Sequence, residues 1–311
     1  SKTGSNLMSG FLYALLPVIA IVTLGHVLSV RNWIPTDSWR AIERLSYVVL
    51  FPALILRTLA NAPFEEAPWG LAAALIFAQF ALGGIGWLAR FLPNMPGPAV
   101  GSVIQSNVRW NTMIGLSIGS LLFGEEGLAL VTIAAAVMIP TANILSVYAL
   151  IAHADTPHGP KPNPFMALFK NPIVIACIGG LALAGASVTL PRLLDDSLRI
   201  LGDAALALGL LSAGAGVDLS ALKRAGSRTL TWSLVRLLGL PAFAVGFCLL
   251  LGVTGTPLVI ALICAATPTA TSSYILAKEL GGDAALSANL IAVETVLAMV
   301  TIPILYLLLT L

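Results

Sequence analysis

The chain has 311 residues, 58% hydrophobic and 10% charged, with 16 basic and 14 acidic side chains and a formal net charge of +2. A mean hydropathy of +0.96 lies far outside the range of soluble domains. The small net charge offers no argument for nucleic acid as a partner.

An all-α integral membrane protein is expected, because nothing in hydrocarbon satisfies free backbone N–H and C=O groups, and richness in Leu, Ala and Gly favours helices over barrel strands. Apolar stretches predict ten spans, over residues 7–28, 41–60, 68–89, 97–121, 128–152, 171–190, 198–217, 230–253, 256–276 and 284–311. Span 1 is long and runs into a basic loop with no early small-residue cleavage site, so no cleavable signal is expected. Trp33, Trp39, Trp69 and Trp87 fall near span ends, where interfacial anchoring accounts for them.

Span 4 is polar at its middle, with Gln105, Ser106, Asn107, Arg109, Asn111, Thr112 and Gly115. Near a span centre a lone arginine costs about 2.5–3.5 kcal/mol on insertion scales, and its stem has little chance of reaching water. Arg109 therefore marks a buried polar cavity. It serves either as a carboxylate partner or as a structural donor to carbonyls freed by a helix break. Gly115-Leu-Ser117-Ile-Gly119 matches the Gly-x-Ser-x-Gly pattern of serine hydrolases, which needs a strand-turn-helix elbow. In a helix the same glycines read as a packing face, so an intramembrane hydrolase using Ser117 is the lesser alternative and no catalytic residue is assigned.

In span 7, Gly209, Gly214 and Gly216 suggest close helix contact or sliding. Arg236 of span 8 lies eight residues from the loop residue Arg228, and snorkelling is the expected behaviour. Span 9 carries Thr267, Pro268, Thr269, Thr271, Ser272 and Ser273. Pro268 removes a helical hydrogen bond and short polar side chains compete for backbone groups, so breaks are expected in spans 4 and 9. Broken helices offer N–H groups to an anion and carbonyls to a cation. Glu294 in span 10 is a candidate proton carrier or sodium ligand, or else an ion-pair partner of Arg109 or Arg236. Cys177, Cys248 and Cys264 lie in spans with no paired spacing, so neither a disulfide framework nor a metal site is expected. His26, His153 and His158 read as loop or headgroup-level residues.

The two halves share landmarks. Pro17 matches Pro172, Ile34-Pro35 matches Leu190-Pro191, Gly97-Pro98 matches Thr256-Pro257, and Phe123-Gly124-Glu125 matches Gly281-Gly282-Asp283. Their order predicts two five-helix repeats, residues 1–152 and 171–311, joined by a cytoplasmic linker at 153–170. An odd number of spans inserts the copies in opposite senses, a recurring build of secondary transporters whose site lies near the midplane. Cations sort accordingly. Ten fall on one side (Arg31, Arg40, Arg44, Arg90, Lys161, Lys170, Lys223, Arg224, Arg228, Lys278) and four on the other (Lys2, Arg57, Arg192, Arg199), which puts both termini outside the cytoplasm.

Asn-Thr-Met-Ile-Gly-Leu at 111–116, Phe-Gly-Glu-Glu-Gly-Leu at 123–128, Ala-Thr-Pro-Thr-Ala-Thr-Ser-Ser-Tyr at 266–274, Ala-Lys-Glu at 277–279 and Gly-Gly-Asp at 281–283 resemble the auxin efflux carrier family. Leu16-Pro17, Phe-Pro-Ala-Leu at 51–54 and Asn171-Pro172 extend the resemblance over nearly the whole chain. The chain lacks the long hydrophilic loop of many plant members and is more similar to bacterial ones. The resemblance implies a fold like that of bile acid sodium symporters, with a panel of helices 1, 2, 6 and 7 and a core of helices 3–5 and 8–10. Broken helices 4 and 9 would cross in the core. It implies a multi-pass protein of the inner membrane, with dimers formed through the panel in related folds.

A small organic anion such as malate, malonate or an auxin-like acid would then dock at the crossing and be carried by alternating access. Arg109, Asn111, Thr112, Asn143, Pro268, Thr269, Thr271 and Ser272 are the candidate substrate residues. Glu294, Gln105, Asn107 and Thr267 are the ion-coupling candidates. No cofactor or resident metal is expected; sodium coupling, proton coupling and uncoupled passage all stay open, and glutamate at position 294 departs from the family pattern of apolar or small hydroxyl residues.

Overall fold

The computed structural model describes residues 2–62, 68–155 and 171–310, with side chains from residue 16 onward except 221, 222 and 224. The expected linker lies largely outside the described residues, as do Lys161, Lys170 and His158. Among the described residues every regular element is helical. Five stretches are long and apolar enough to cross a membrane: Trp69–Phe91, Gly97–His153, Arg192–Ala215, Ser227–Leu250 and Ala284–Thr310. Shorter apolar helices cover Leu16–Val30, Pro172–Gly185 and Thr256–Ala266.

Helix α1 (Lys2–Val30) carries Pro17 internally. Its 14 residues from Pro17 to the end match in length the 14-residue α7 (Pro172–Gly185), which Pro172 opens. α2 (Thr36–Leu45) begins five residues before the expected span, because the Pro35 cap starts a helix whose first turns are polar and thus escape a hydropathy reading. A π-turn, Ser46–Leu50, joins it to α3 (Phe51–Ala60), and the Phe51 N–H donates to the Ser46 carbonyl five residues back. Pro52 follows at once, and its missing N–H removes an ordinary helical bond there.

α4 (Trp69–Leu88) leads to the interrupted pair α5 (Gly97–Val108) and α6 (Thr112–His153). Gly124, at φ 58° and ψ −137°, kinks α6 into 112–123 and 125–153. At that kink the two arms touch so closely that a Cβ on Gly127 would sit 2.1 Å from the Gly119 carbonyl oxygen. Asn171 caps α7 by accepting from the Ile173 N–H at 2.9 Å. α7 is shorter than expected: the chain turns at Ser187, φ 53°, and does not continue to residue 190. α8 (Arg192–Ala215), the short α9 (Leu219–Arg224), α10 (Ser227–Leu250), the interrupted pair α11 (Thr256–Ala266) and α12 (Ser273–Leu280), and α13 (Ala284–Thr310) complete the chain.

The landmarks of the two halves fall at equivalent places. Pro35 and Pro191 are N-caps of α2 and α8, Pro98 and Pro257 lie in the first turns of α5 and α11, and Gly124 and Gly281 both take positive φ at helix turns.

Packing divides the helices by contact. α1 lies on α8, and α3 on α7 and α8, while α4, α5, α6, α10, α11 and α13 pack on one another. Small residues permit the closest approaches, as expected where dispersion and not dewetting holds helices together. A Cβ on Gly214 would meet the Val22 carbonyl oxygen at 1.9 Å, and one on Gly25 would meet that of Leu211 at 2.0 Å. Gly214→Ala is therefore expected to lower the thermal midpoint of the purified protein by at least several degrees, because the added methyl meets backbone and forces the helices apart; an unchanged midpoint refutes this contact.

Arg57 of α3 joins this group to α8. Its Nε and Nη2 donate to Asp195 Oδ1 and Oδ2 at 2.9 and 3.1 Å, and Asn61 Nδ2 adds a third bond at 3.0 Å. Trp33, Trp69 and Trp87 are exposed, in keeping with interfacial anchors, and Arg90 stacks 4.7 Å over the Trp87 ring. Trp39 departs from that expectation. It is buried, since the amphipathic α2 turns it inward.

Candidate functional site

The helix through span 4 stops at Val108 and restarts at Thr112; the helix through span 9 stops at Ala266 and restarts at Ser273. These interruptions meet. The Asn111 N–H donates to the Pro268 carbonyl at 2.8 Å, with Thr267 Oγ1 also within 3.3 Å. Gln105 Nε2 donates to the Ser273 carbonyl at 2.9 Å. Asn111 also starts α6, its Oδ1 accepting from the Ile114 N–H at 3.1 Å.

Each interruption strands carbonyls that need donors. Arg236 of α10 meets three of them. Its Nε donates to the Ser106 and Arg109 carbonyls at 3.0 and 3.2 Å, Nη2 to Arg109 at 2.8 Å, and Nη1 to Ala265 at 2.7 Å. The side chain is fully buried, which overturns the snorkelling expectation. A guanidinium has five N–H donors in a planar fork, and two converging helix ends supply acceptors that water would otherwise have to provide. Gln79 of α4 completes the set, with Nε2 donating to the Val108 and Met138 carbonyls at 2.8 and 3.0 Å. Sequence reasoning missed Gln79; the signal available was a lone amide in the otherwise apolar span 3.

Glu294 of α13 is fully buried and bridges both interruptions. Ser106 Oγ donates to its Oε1 at 2.7 Å and the Thr269 N–H to its Oε2 at 2.8 Å. Among the described residues no direct salt bridge reaches it, although Arg236 acts on it electrostatically at longer range. The carboxylate is satisfied by a hydroxyl and a backbone amide instead.

Arg109 behaves differently. The carbonyls freed by the break go to Arg236 and Gln79, while Arg109 Nη1 donates to Asn143 Oδ1 at 3.0 Å and Nη2 to Ser272 Oγ at 2.7 Å. Its Nε is buried without a partner, and among the described residues no carboxylate pairs with it. It is partly exposed.

Of the remaining candidates, Pro268 and Thr269 are buried at the meeting point, Thr112 is half-buried, and Thr271 is exposed on the turn. Thr267 Oγ1 donates to the Cys264 carbonyl at 2.9 Å. Asn107 Nδ2 donates to the Leu82 carbonyl of α4 at 3.2 Å. Ser117 sits in regular helix, its Oγ 3.5 Å from the Leu206 carbonyl, without the strand-turn-helix elbow of a hydrolase nucleophile. The packing reading of its flanking glycines holds at Gly115, where a Cβ would lie 2.7 Å from the Trp110 ring.

An apolar cavity opens one turn beyond Asn111, lined by Val18 and Val22 of α1, Ile114 of α6, Ala213 of α8, and Ala298 and Ile302 of α13. None of the polar candidates lines it.

No curated protein matches the chain. A family model described as a membrane transport protein matches residues 163–306, a stretch that includes Arg236, the 267–272 interruption and Glu294. With the motifs shared along the sequence, this match supports a relationship to the auxin efflux carrier family and indicates a membrane transporter.

Proposed function

We propose that the protein carries a small organic anion across the membrane by alternating access, with the carboxylate seated between the interrupted helices. The observation that carries this reading is Arg109. Its guanidinium lies where both helices are broken, is held by two neutral oxygens, keeps one buried N–H unpartnered, and has no resident counter-ion among the described residues. An arginine at membrane depth without an acidic neighbour is a natural seat for a carboxylate, which accepts its fork in a bidentate manner. Thr112, three residues on at the start of α6, would add the positive end of a helix dipole.

On this reading the chain is two inverted five-helix repeats with both termini outside the cytoplasm, and the site lies at the crossing of helices 4 and 9. The panel is the group containing α1, α3, α7 and α8, and the core is the group built on α4, α5, α6, α10, α11, α12 and α13. The substrate would be a small carboxylate such as malate, malonate or an auxin-like acid. Dimers would form through the panel.

The test is counterflow. Proteoliposomes loaded with unlabelled malate, malonate or an aromatic acid are challenged with the same compound labelled, and concentrative exchange is expected for at least one. A carboxylate that raises the thermal midpoint of the purified protein while no carboxylate exchanges would turn the reading into one of ligand sensing without transport.

A further inference from the structure

We infer that Arg236 is a tethered cation: its guanidinium fills, from within the chain, the position to which the converging C-terminal ends of α5 and α11 would otherwise draw a free monovalent cation. A helix C-terminus carries roughly half a negative charge, and here two of them point at one place. The acceptors there are the Ser106, Arg109 and Ala265 carbonyls, all bound by Arg236 at 2.7–3.2 Å. Three neighbouring carbonyls are engaged as well. Val108 accepts from Gln79, Cys264 from Thr267 Oγ1, and Pro268 from the Asn111 N–H.

A hard cation needs several converging oxygens whose lone pairs face it. Around Arg236 the converging oxygens face N–H groups instead. The counter-charge is built in too, since Glu294 is fixed across both interruptions by Ser106 and Thr269. Of the ion-coupling candidates, Thr267 Oγ1 donates to the Cys264 carbonyl and Gln105 Nε2 to the Ser273 carbonyl, which leaves Gln105 Oε1 and Asn107 Oδ1 as buried oxygens without a partner. Arg236 thereby determines coupling specificity: a carrier whose crossing already holds its cation draws no drive from sodium at that position. The consequence for coupling rests on the transporter reading above, whereas the presence of a resident cation does not.

Two measurements on purified protein decide this without any substrate. The thermal midpoint of the parent protein is compared in sodium, potassium and choline chloride at equal ionic strength, and the three are expected to coincide; a saturable rise specific to sodium would overturn the inference. Arg236→Ala is then titrated with guanidinium chloride at millimolar concentrations. The variant's lowered midpoint is expected to rise by several degrees toward the parent value, with no such rise in the parent protein. A folded variant insensitive to guanidinium would also overturn it. Should the variant fail to fold, the comparison of salts on the parent protein still decides. Carriers inactive toward every carboxylate would sink the transport reading and leave both of these results standing.

Discussion

Arg109→Gln is expected to yield a folded protein that no longer exchanges carboxylates. Glutamine keeps one amide donor for Asn143 Oδ1 or Ser272 Oγ, so the neutral bonds that position the side chain are partly replaced. What disappears is the charge and the fork. Hydrogen bonds to a charged group contribute about 1.5–3 kcal/mol each. Losing the paired contact should weaken substrate binding by about 100-fold or more, taking about 1.4 kcal/mol per factor of ten. The measurement is initial counterflow rate against substrate concentration in proteoliposomes, alongside the thermal midpoint. Normal exchange removes Arg109 from the site. A collapsed midpoint would instead mark it as structural.

The opposite pattern is expected for Arg236→Met. Methionine fills much of the volume but offers no donor, so the carbonyls of Ser106, Arg109 and Ala265 are left with no partner in a region away from water. Breaking a buried charged assembly by removing one member costs on the order of 3–5 kcal/mol. For a chain of this size that is a drop of roughly 5–8 °C in thermal midpoint. Monodispersity in detergent and the unfolding midpoint check it, and a variant as stable as the parent would show that those carbonyls find other donors. Two arginines in neighbouring spans thus separate cleanly: one should fail in exchange and the other in folding.

Sequence made the helical membrane class and both interruptions legible, since each depends on local chemistry: apolar run length, Pro268, and the polar stretch from Gln105 to Asn111. It also singled out Arg109, Glu294 and Arg236 as charges needing an explanation. It did not show how those charges are distributed among partners, because partnership is decided by packing between distant segments. Arg236 was read by its distance along the chain from Arg228, yet its acceptors lie on α5 and α11, far off in sequence. Glu294 was weighed against cations, while its actual partners are a serine hydroxyl and a backbone amide that no residue pattern advertises. Gln79 escapes a hydropathy reading because one amide barely alters that of the stretch 68–89. Trp39 was misplaced for a related reason: proximity to a span end says nothing about which side of α2 it occupies.

The glycine contacts between α1 and α8 limit how such a carrier could work. With Gly25 against Leu211 and Gly214 against Val22, backbone rests on backbone, and there is no cushion of side chains to shear. Those two helices should behave as a stationary wall. On the alternating-access reading, a stroke that ferries cargo from one face to the other would run along the greasier seam beside Val18 and Ile302.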